Sequence, residues 1–445
     1  MQQNKWIKWL SLAGAAVLIS ACGGGASDLV VRVEKTIIGF YDQDHGSEPW
    51  VTDGEANGTK LLKDMNLGEG SSHMTNVVNI GESYYFMTSD KIVPKSQKTP
   101  SISLNTVGKL WKSDGTAEGT VLVKDMTGIA RYAPWLVGFQ EKLYFFAGNG
   151  LWKINSAEND MVLIKEFSRG GIDESSIVES GDKLYFNARD EATGIELWVS
   201  DGTPDGTRRV KDIREGEGES SSPWELTDVG GILYFSADDG VNGRELWKSD
   251  GTTEGTMLVK SIEGAPYGSS PEDLVVMGDI LYFNARDSVS GGELWRSDGT
   301  AENTKIVKNI TEGALGSDIR DMVAHKGKLY FTVNESTHEL WVSDGTEGGT
   351  KKVKDLDRYL SRLTSVTDRL VFMMSAGEGT YALWSSDGTE TGTKIIKVFN
   401  GYTNLTTIIV KGSLLIYTGN ENAYQLWKTD GTAEGTVMIK ESLWD

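Results

Sequence analysis

Apolar residues come in short bursts along this chain, four to seven positions long, and glycine, aspartate, asparagine or serine closes each burst. One stretch, Ser220 to Ile262, shows the grammar. "PWELTDV" is followed by the turn "GG", "ILYFSA" by "DDGVNG", "RELWKS" by "DGTTEG", and "TMLVKSI" ends the unit. Each burst is rich in β-branched and aromatic residues, so the pattern predicts four antiparallel strands in a meander. Segments such as "ILYF", "YYF" and "LYFF" are apolar at consecutive positions. Both faces of such a strand must be covered, which predicts that each sheet is sandwiched between two others. Helix signals are nearly absent.

Tryptophan sets the period. Trp50, Trp111, Trp152, Trp198, Trp247, Trp295, Trp341, Trp384 and Trp427 occupy equivalent places in nine units, at a spacing of roughly 46 residues that suits four-stranded propeller blades. The longest regular connection runs from a fourth strand to the next first strand, as in "IREGEGESSSPW" and "IEGAPYGSSPED", so each unit is one blade. The first unit is expected to be complete, because "DLVVRVEKTIIGFYDQD" parallels "DLVVMGDILYFNARD". The third, "LWKINSAENDMVLIKEF", is degenerate in its third loop but keeps its strands. The expectation is an all-β chain: a β-propeller of four-stranded antiparallel blades over residues 28–445. Nine blades are favoured, with an eight-bladed ring plus one outlying unit as the alternative.

The formal charge of −20, with no basic stripe, sets the chain against phosphate backbones and excludes nucleic acid as an expected partner. At the N-terminus, Lys5 and Lys8 precede an apolar run from Leu10 to Ile19 that is short for a membrane span. It ends in Ile19-Ser20-Ala21-Cys22, which resembles the lipobox of bacterial lipoproteins. The resemblance implies a signal peptide over 1–21, cleavage before Cys22, diacylglycerol on its sulfur, and a tether over 22–27. Gly23 after the cysteine, in place of aspartate, implies delivery to the outer membrane. Cys22 is the only cysteine, so no internal disulfide can form.

The units themselves resemble the bacterial ELWxxDGT-repeat family, described as hyalin-like. "ELW" is intact at Glu196, Glu245, Glu293 and Glu339, while the first unit departs with "PWVTDGEANGT" and the third lacks the signature. The resemblance implies a secreted or envelope-bound repeat protein and no shared catalytic activity. Within the motif, the aspartate three residues after each tryptophan (Asp250 in the fifth unit) has the chemistry of a turn cap. Its carboxylate accepts backbone N–H groups, the next glycine takes positive φ, and threonine adds a hydroxyl. Asn155 at this place in the third unit keeps the acceptor and loses the charge. Each tryptophan is expected to wedge between blades, with a ring of sugar-stacking indoles as the other reading. The lysine of "VKD", from Lys63 to Lys440, recurs in all nine units and reads as a charge that keeps the outermost strand from pairing with other molecules.

Chemistry should lie where the repeat is broken. The turns between second and third strands share a face with the blade crossings and collect acid: Asp42, Asp44 and Glu48 in the first unit, then Asp190, Asp239 and Asp287, with Glu196, Glu245 and Glu293 nearby. Oxygen clusters suit calcium, so Asp42, Asp44, Asp190, Asp239, Asp287 and Glu245 are the candidate ligands, against the alternative of solvated turn acids. The second unit adds a basic arm with Lys91, Lys95 and Lys98, either a recognition loop or a tolerated insertion. His45, His73, His325 and His338 are scattered, and there is no HExxH, GxSxG or P-loop. The expected function is therefore a lipid-anchored envelope propeller that binds protein or glycan partners without catalysis. An extracellular polysaccharide-active enzyme and an outer-membrane assembly factor are the alternatives.

Overall fold

The computed structural model describes residues 8–12, 15–19 and 33–443, apart from internal segments at 67–70, 90–107, 127–133, 156–159, 169–171, 265, 335–337 and 421–422. Among the described residues there is no helix, and none long and apolar enough to cross a membrane. Eight sheets are four-stranded meanders in strict chain order. Blade five is representative, with Trp224–Val229, Ile232–Asp238, Arg244–Ser249 and Met257–Lys260 joined antiparallel. Blade one has three described strands, Thr36–Asp42, Gly46–Thr52 and Lys60–Leu61. Residues 28–32, expected to supply its first strand, lie outside the described residues.

First strands of successive blades lie side by side and so line the centre of the ring, which leaves the fourth strands at the rim. The ring has nine blades. An eight-bladed ring with an outlying unit is ruled out by the closure, where blade one packs on blade nine as any blade packs on its predecessor. Val33 bridges Val410 in parallel, and the Lys411 N–H donates to the Val33 carbonyl at 2.9 Å. Phe40 and Trp50 bury themselves against Val410, Leu415, Leu426 and Ile439. In the described sheets no strand from one terminus completes the blade of the other, so side-chain packing and the single Val33–Val410 bridge close the ring.

The alternation of strand side chains decides which face meets which neighbour. In blade five, Leu233, Phe235 and Trp247 face blade four, where Tyr185, Leu197 and Val199 receive them. Tyr234, Leu246 and Val259 of the same blade face Leu281, Phe283 and Trp295 of blade six. The tryptophan thus turns toward the preceding blade and the leucine beside it toward the next. All nine repeat tryptophans are buried or half-buried, which removes them from any sugar-stacking surface. Near the N-terminus, Lys8–Leu12 pairs antiparallel with Ala15–Ile19, and this hairpin runs beside the innermost strands of blades two to four and of blade nine.

Candidate functional site

The repeat motif explains itself once its hydrogen bonds are followed. In blade five, Asp250 Oδ1 accepts the Thr252 N–H at 2.8 Å and its hydroxyl at 2.7 Å, and Thr252 Oγ1 accepts the Gly255 N–H at 2.9 Å. These donors, the Thr252 hydroxyl first, hold the Asp250 carboxyl below the usual carboxylate range. Beneath the loop, Ser249 Oγ and Thr256 Oγ1 share a buried hydrogen bond of 2.7 Å, and Ser249 Oγ accepts the Gly251 N–H at 3.0 Å. The carboxylate folds over Gly255 so tightly that a Cβ there would meet Asp250 Oδ1 at 2.1 Å. In blade six Asn303 replaces that glycine and its side-chain amide donates to Asp298 Oδ2 at 2.6 Å. The aspartate is a turn cap, and it is exposed rather than buried.

The glutamate of "ELW" is a clamp on the blade crossing in blades four to six, whereas Glu339 of blade seven accepts the Trp341 indole N–H at 2.7 Å and the Lys352 ammonium at 3.1 Å. Glu245 is fully buried. It accepts the Glu263 and Gly264 N–H groups, each at 3.1 Å, and the Ser269 hydroxyl. Glu196 and Glu293 hold their own crossings through Ser221 and Ser317 in the same way. Glu48 does so through Met65 and Ser72 N–H groups at 3.1 and 2.8 Å, and burial outweighs those donors to push its carboxyl up to about 7. Burial also raises Glu196. A buried carboxylate with several donors is a structural group, because removing the donors or the charge leaves an unsatisfied partner.

The recurring lysine corrects the sequence reading. Rather than standing off the rim as a repelling charge, Lys211 donates from its Nζ to the Thr256 carbonyl of the next blade at 2.9 Å and lies 5.9 Å from the Trp247 ring centre. Lys63, Lys260 and Lys308 donate to Thr120, Thr304 and Thr350 at 2.7–2.8 Å. Lys440 lies 5.0 Å from the Trp50 ring and so staples the closure itself. Tyrosine does related work on the same face. The Tyr144 hydroxyl donates to the Gly202 carbonyl of blade four at 3.3 Å. Nearly every repeated polar side chain therefore serves the turn, the crossing or the blade interface.

The acidic candidates divide. Asp42, Asp44 and His45 bring ligand atoms within 4.8 Å of one another, and His45 Nδ1 lies 2.9 Å from both Asp42 oxygens. Asp190, Asp239 and Asp287 belong to three different blades, and each caps its own turn. Asp190 accepts Ala192 N–H at 2.8 Å, Asp239 accepts Val241 and Asn242 N–H at 2.9 and 2.7 Å, and Asp287 accepts Val289 and Ser290 N–H at 2.9 and 2.5 Å. Glu245 points its oxygens at the crossing instead. The residues fit calcium only as the small Asp42–Asp44–His45 group, two carboxylates and an imidazole where calcium prefers six or more oxygens. Cys22, Lys91, Lys95 and Lys98 lie outside the described residues.

Two asymmetric features were not read from the sequence. The innermost strands carry a bulge whose residue has positive φ: Asn76, Glu225, Asp273, Asp321 and Arg362, at 51–58°. Glutamate and arginine tolerate that region less well than asparagine or aspartate. Blades five to seven place an acid there, and blade eight an arginine. Burial among the inner strands, with Asp273 adding to it, lifts Asp321 to about 6. The signal was present, an acid just ahead of the apolar pair in "WEL", "EDL" and "RDM", yet acids are too frequent here for it to stand out. The second feature lies between blades two and three. Around the degenerate third unit, a hollow of about 200 Å³ is lined by Tyr85, Lys112, Glu141 and Lys142 among others. Lys112 lies 5.8 Å from the Tyr85 ring, whereas its counterpart Lys248 donates to the Gly299 carbonyl of the next blade at 2.9 Å.

No known family model and no curated protein matches the sequence. Among solved structures, the chain is similar to a prolyl endopeptidase at 11% identity and a TM-score of 0.44, covering 80% of this chain and 54% of that one. It is similar to a puromycin hydrolase complexed with PGG at 13% identity and a TM-score of 0.40, covering 79% and 59%. The chain thus spans somewhat over half the length of each of these proteins.

Proposed function

We propose that this chain is a lipid-anchored propeller of the bacterial cell envelope that binds protein or glycan partners without catalysis, in keeping with its resemblance to the ELWxxDGT-repeat proteins. One observation carries the reading. The aspartates, serines and threonines of the repeat turns, the buried glutamates and the interface lysines are engaged by the chain's own donors and acceptors, so the scaffold is chemically quiet, while variation is concentrated in turns and crossings. Rigid scaffolds with variable loops serve recognition. Anchoring rests on Cys22. Cys22→Ala should move the protein from membrane to soluble fractions and abolish lipid labelling, and unchanged fractionation with unchanged labelling would refute it.

A second reading, hydrolysis of an extracellular polysaccharide, draws on Asp273 and Asp321, because a carboxyl raised toward neutrality beside another acid is the arrangement a general acid needs. Release of reducing ends from envelope polysaccharide by the intact protein, lost in Asp321→Asn, would favour it. Absence of any release leaves the binding reading as the account.

A further inference from the structure

Among the described residues, the four most exposed large apolar side chains share one face of the ring. Val241 and Val289 sit on the turns between second and third strands of blades five and six, 72% and 78% exposed. Tyr267 and Leu315 sit in the crossings that leave those same blades, 82% and 85% exposed. The backbone joins the four segments into one row. A Cβ on Gly243 would approach the Tyr267 carbonyl carbon within 2.7 Å, and one on Gly291 would approach that of Leu315 within 2.6 Å. Between the two blades, the Ser288 N–H donates to the Glu263 carboxylate at 2.5 Å. Turn, crossing, turn and crossing therefore form a continuous, glycine-tightened surface.

The charge around this row is mostly acidic. Glu215, Glu217 and Glu312 are exposed in the crossings, and Asp239 and Asp287 cap the two turns. Two of the nearby cations are already held, and Arg286, exposed beside Asp287, is the one set among the acids. Arg214 pairs with Glu219 at 2.9 Å and Asp238 at 2.8 Å, and Arg320 with Asp318 at 2.7 Å. Exposed apolar groups gathered on adjoining loops mark a surface that association covers. An acidic rim selects a cationic occupant and speeds its encounter. A bilayer with anionic headgroups would meet the same rim as repulsion.

We infer that the row Val241–Tyr267–Val289–Leu315 is a docking surface for a protein segment in which apolar side chains are flanked by lysine or arginine. This rests on the binding reading above and names its surface and partner chemistry. The probe is a synthetic peptide of leucine and lysine in amphipathic order, with polylysine of equal charge as the electrostatic control. Replacing the four residues with serine should leave the melting temperature unchanged, because none is in the core. Affinity for the leucine–lysine peptide should fall about tenfold or more, while weak polylysine binding stays the same, and added salt should weaken both. Equal affinity of the parent and the fourfold variant for the peptide would overturn the proposal. So would cosedimentation of the Cys22→Ser chain, but not its fourfold variant, with phosphatidylcholine vesicles, which would assign the row to a lipid surface. If the fourfold variant binds the peptide as well as the parent does, yet both capture the same envelope proteins, this surface falls and the binding function stands. If neither captures anything, both fall.

Discussion

Gly299→Ala tests whether the blade interface, or only the local turn, dictates the glycine of "SDGT". Gly299 has φ of +87°, and a Cβ there would sit 2.0 Å from the Tyr234 hydroxyl oxygen and 3.2 Å from its Cζ. The conformation alone costs an L-residue about 1–2 kcal/mol. Forcing a methyl group into the packed interface adds about 1–3 kcal/mol. Gly299→Ala should therefore destabilise by about 2–5 kcal/mol. Tyr234→Phe removes the oxygen that the methyl group strikes and leaves the ring in place. Alone it should cost about 1 kcal/mol or less. Together, the alanine methyl group enters the space the hydroxyl vacated, and the conformational cost remains with a small contact against the ring carbon at 3.2 Å. The double mutant should thus be more stable than Gly299→Ala alone, with a coupling of about 1–3 kcal/mol. Thermal and urea unfolding of parent, single and double variants, followed by tryptophan fluorescence, measures the cycle. Because the ring is closed, weakening one interface should lower the transition of the whole molecule rather than fray an end. If the double variant is as unstable as the sum of the singles, the tyrosine is not what the glycine accommodates.

Three further outcomes are expected. Lys211→Met keeps the stem over Trp247 and loses the hydrogen bond to the Thr256 carbonyl, so the melting temperature should drop by the equivalent of about 1 kcal/mol; an unchanged melting temperature with increased aggregation would restore the rim-charge reading. Asp250→Asn keeps an acceptor for Thr252 and should be near neutral, whereas Asp250→Ala should cost about 1 kcal/mol, and identical melting curves for the two would argue against the turn cap. Millimolar calcium should raise the melting temperature if Asp42, Asp44 and His45 hold it, by mass action on the folded state; the shift should vanish in Asp42→Asn, and no shift in the parent would return these residues to a solvated turn.

What the sequence by itself determined is what depends on neighbours along the chain. Strand identity follows from short β-branched and aromatic bursts, since the alternation of side chains is local. The tryptophan spacing marked nine units, because each described sheet is built from consecutive strands, but only the packing of blade one on blade nine ruled out an eight-bladed ring with an outlying unit. The turn role of Asp250 was legible because its partners, Thr252 and Gly255, lie within five positions. Partners far along the chain were not legible. Lys211 was read as a free charge because the Thr256 carbonyl that receives it belongs to the next blade. Glu245 looked like a calcium ligand beside Asp239, but only folding brings the Ser269 crossing onto its carboxylate and buries it. The positive φ of Glu225 and Arg362 did not stand out, since acids are frequent in this chain and the conformation arises from how the innermost strands bulge around the ring. Val241, Tyr267, Val289 and Leu315 were unremarkable apolar residues in separate turns and crossings until Gly243 and Gly291 drew their backbones into contact. The deciding factor in each case is contact between chain segments distant in sequence, which only the tertiary packing of blade on blade supplies.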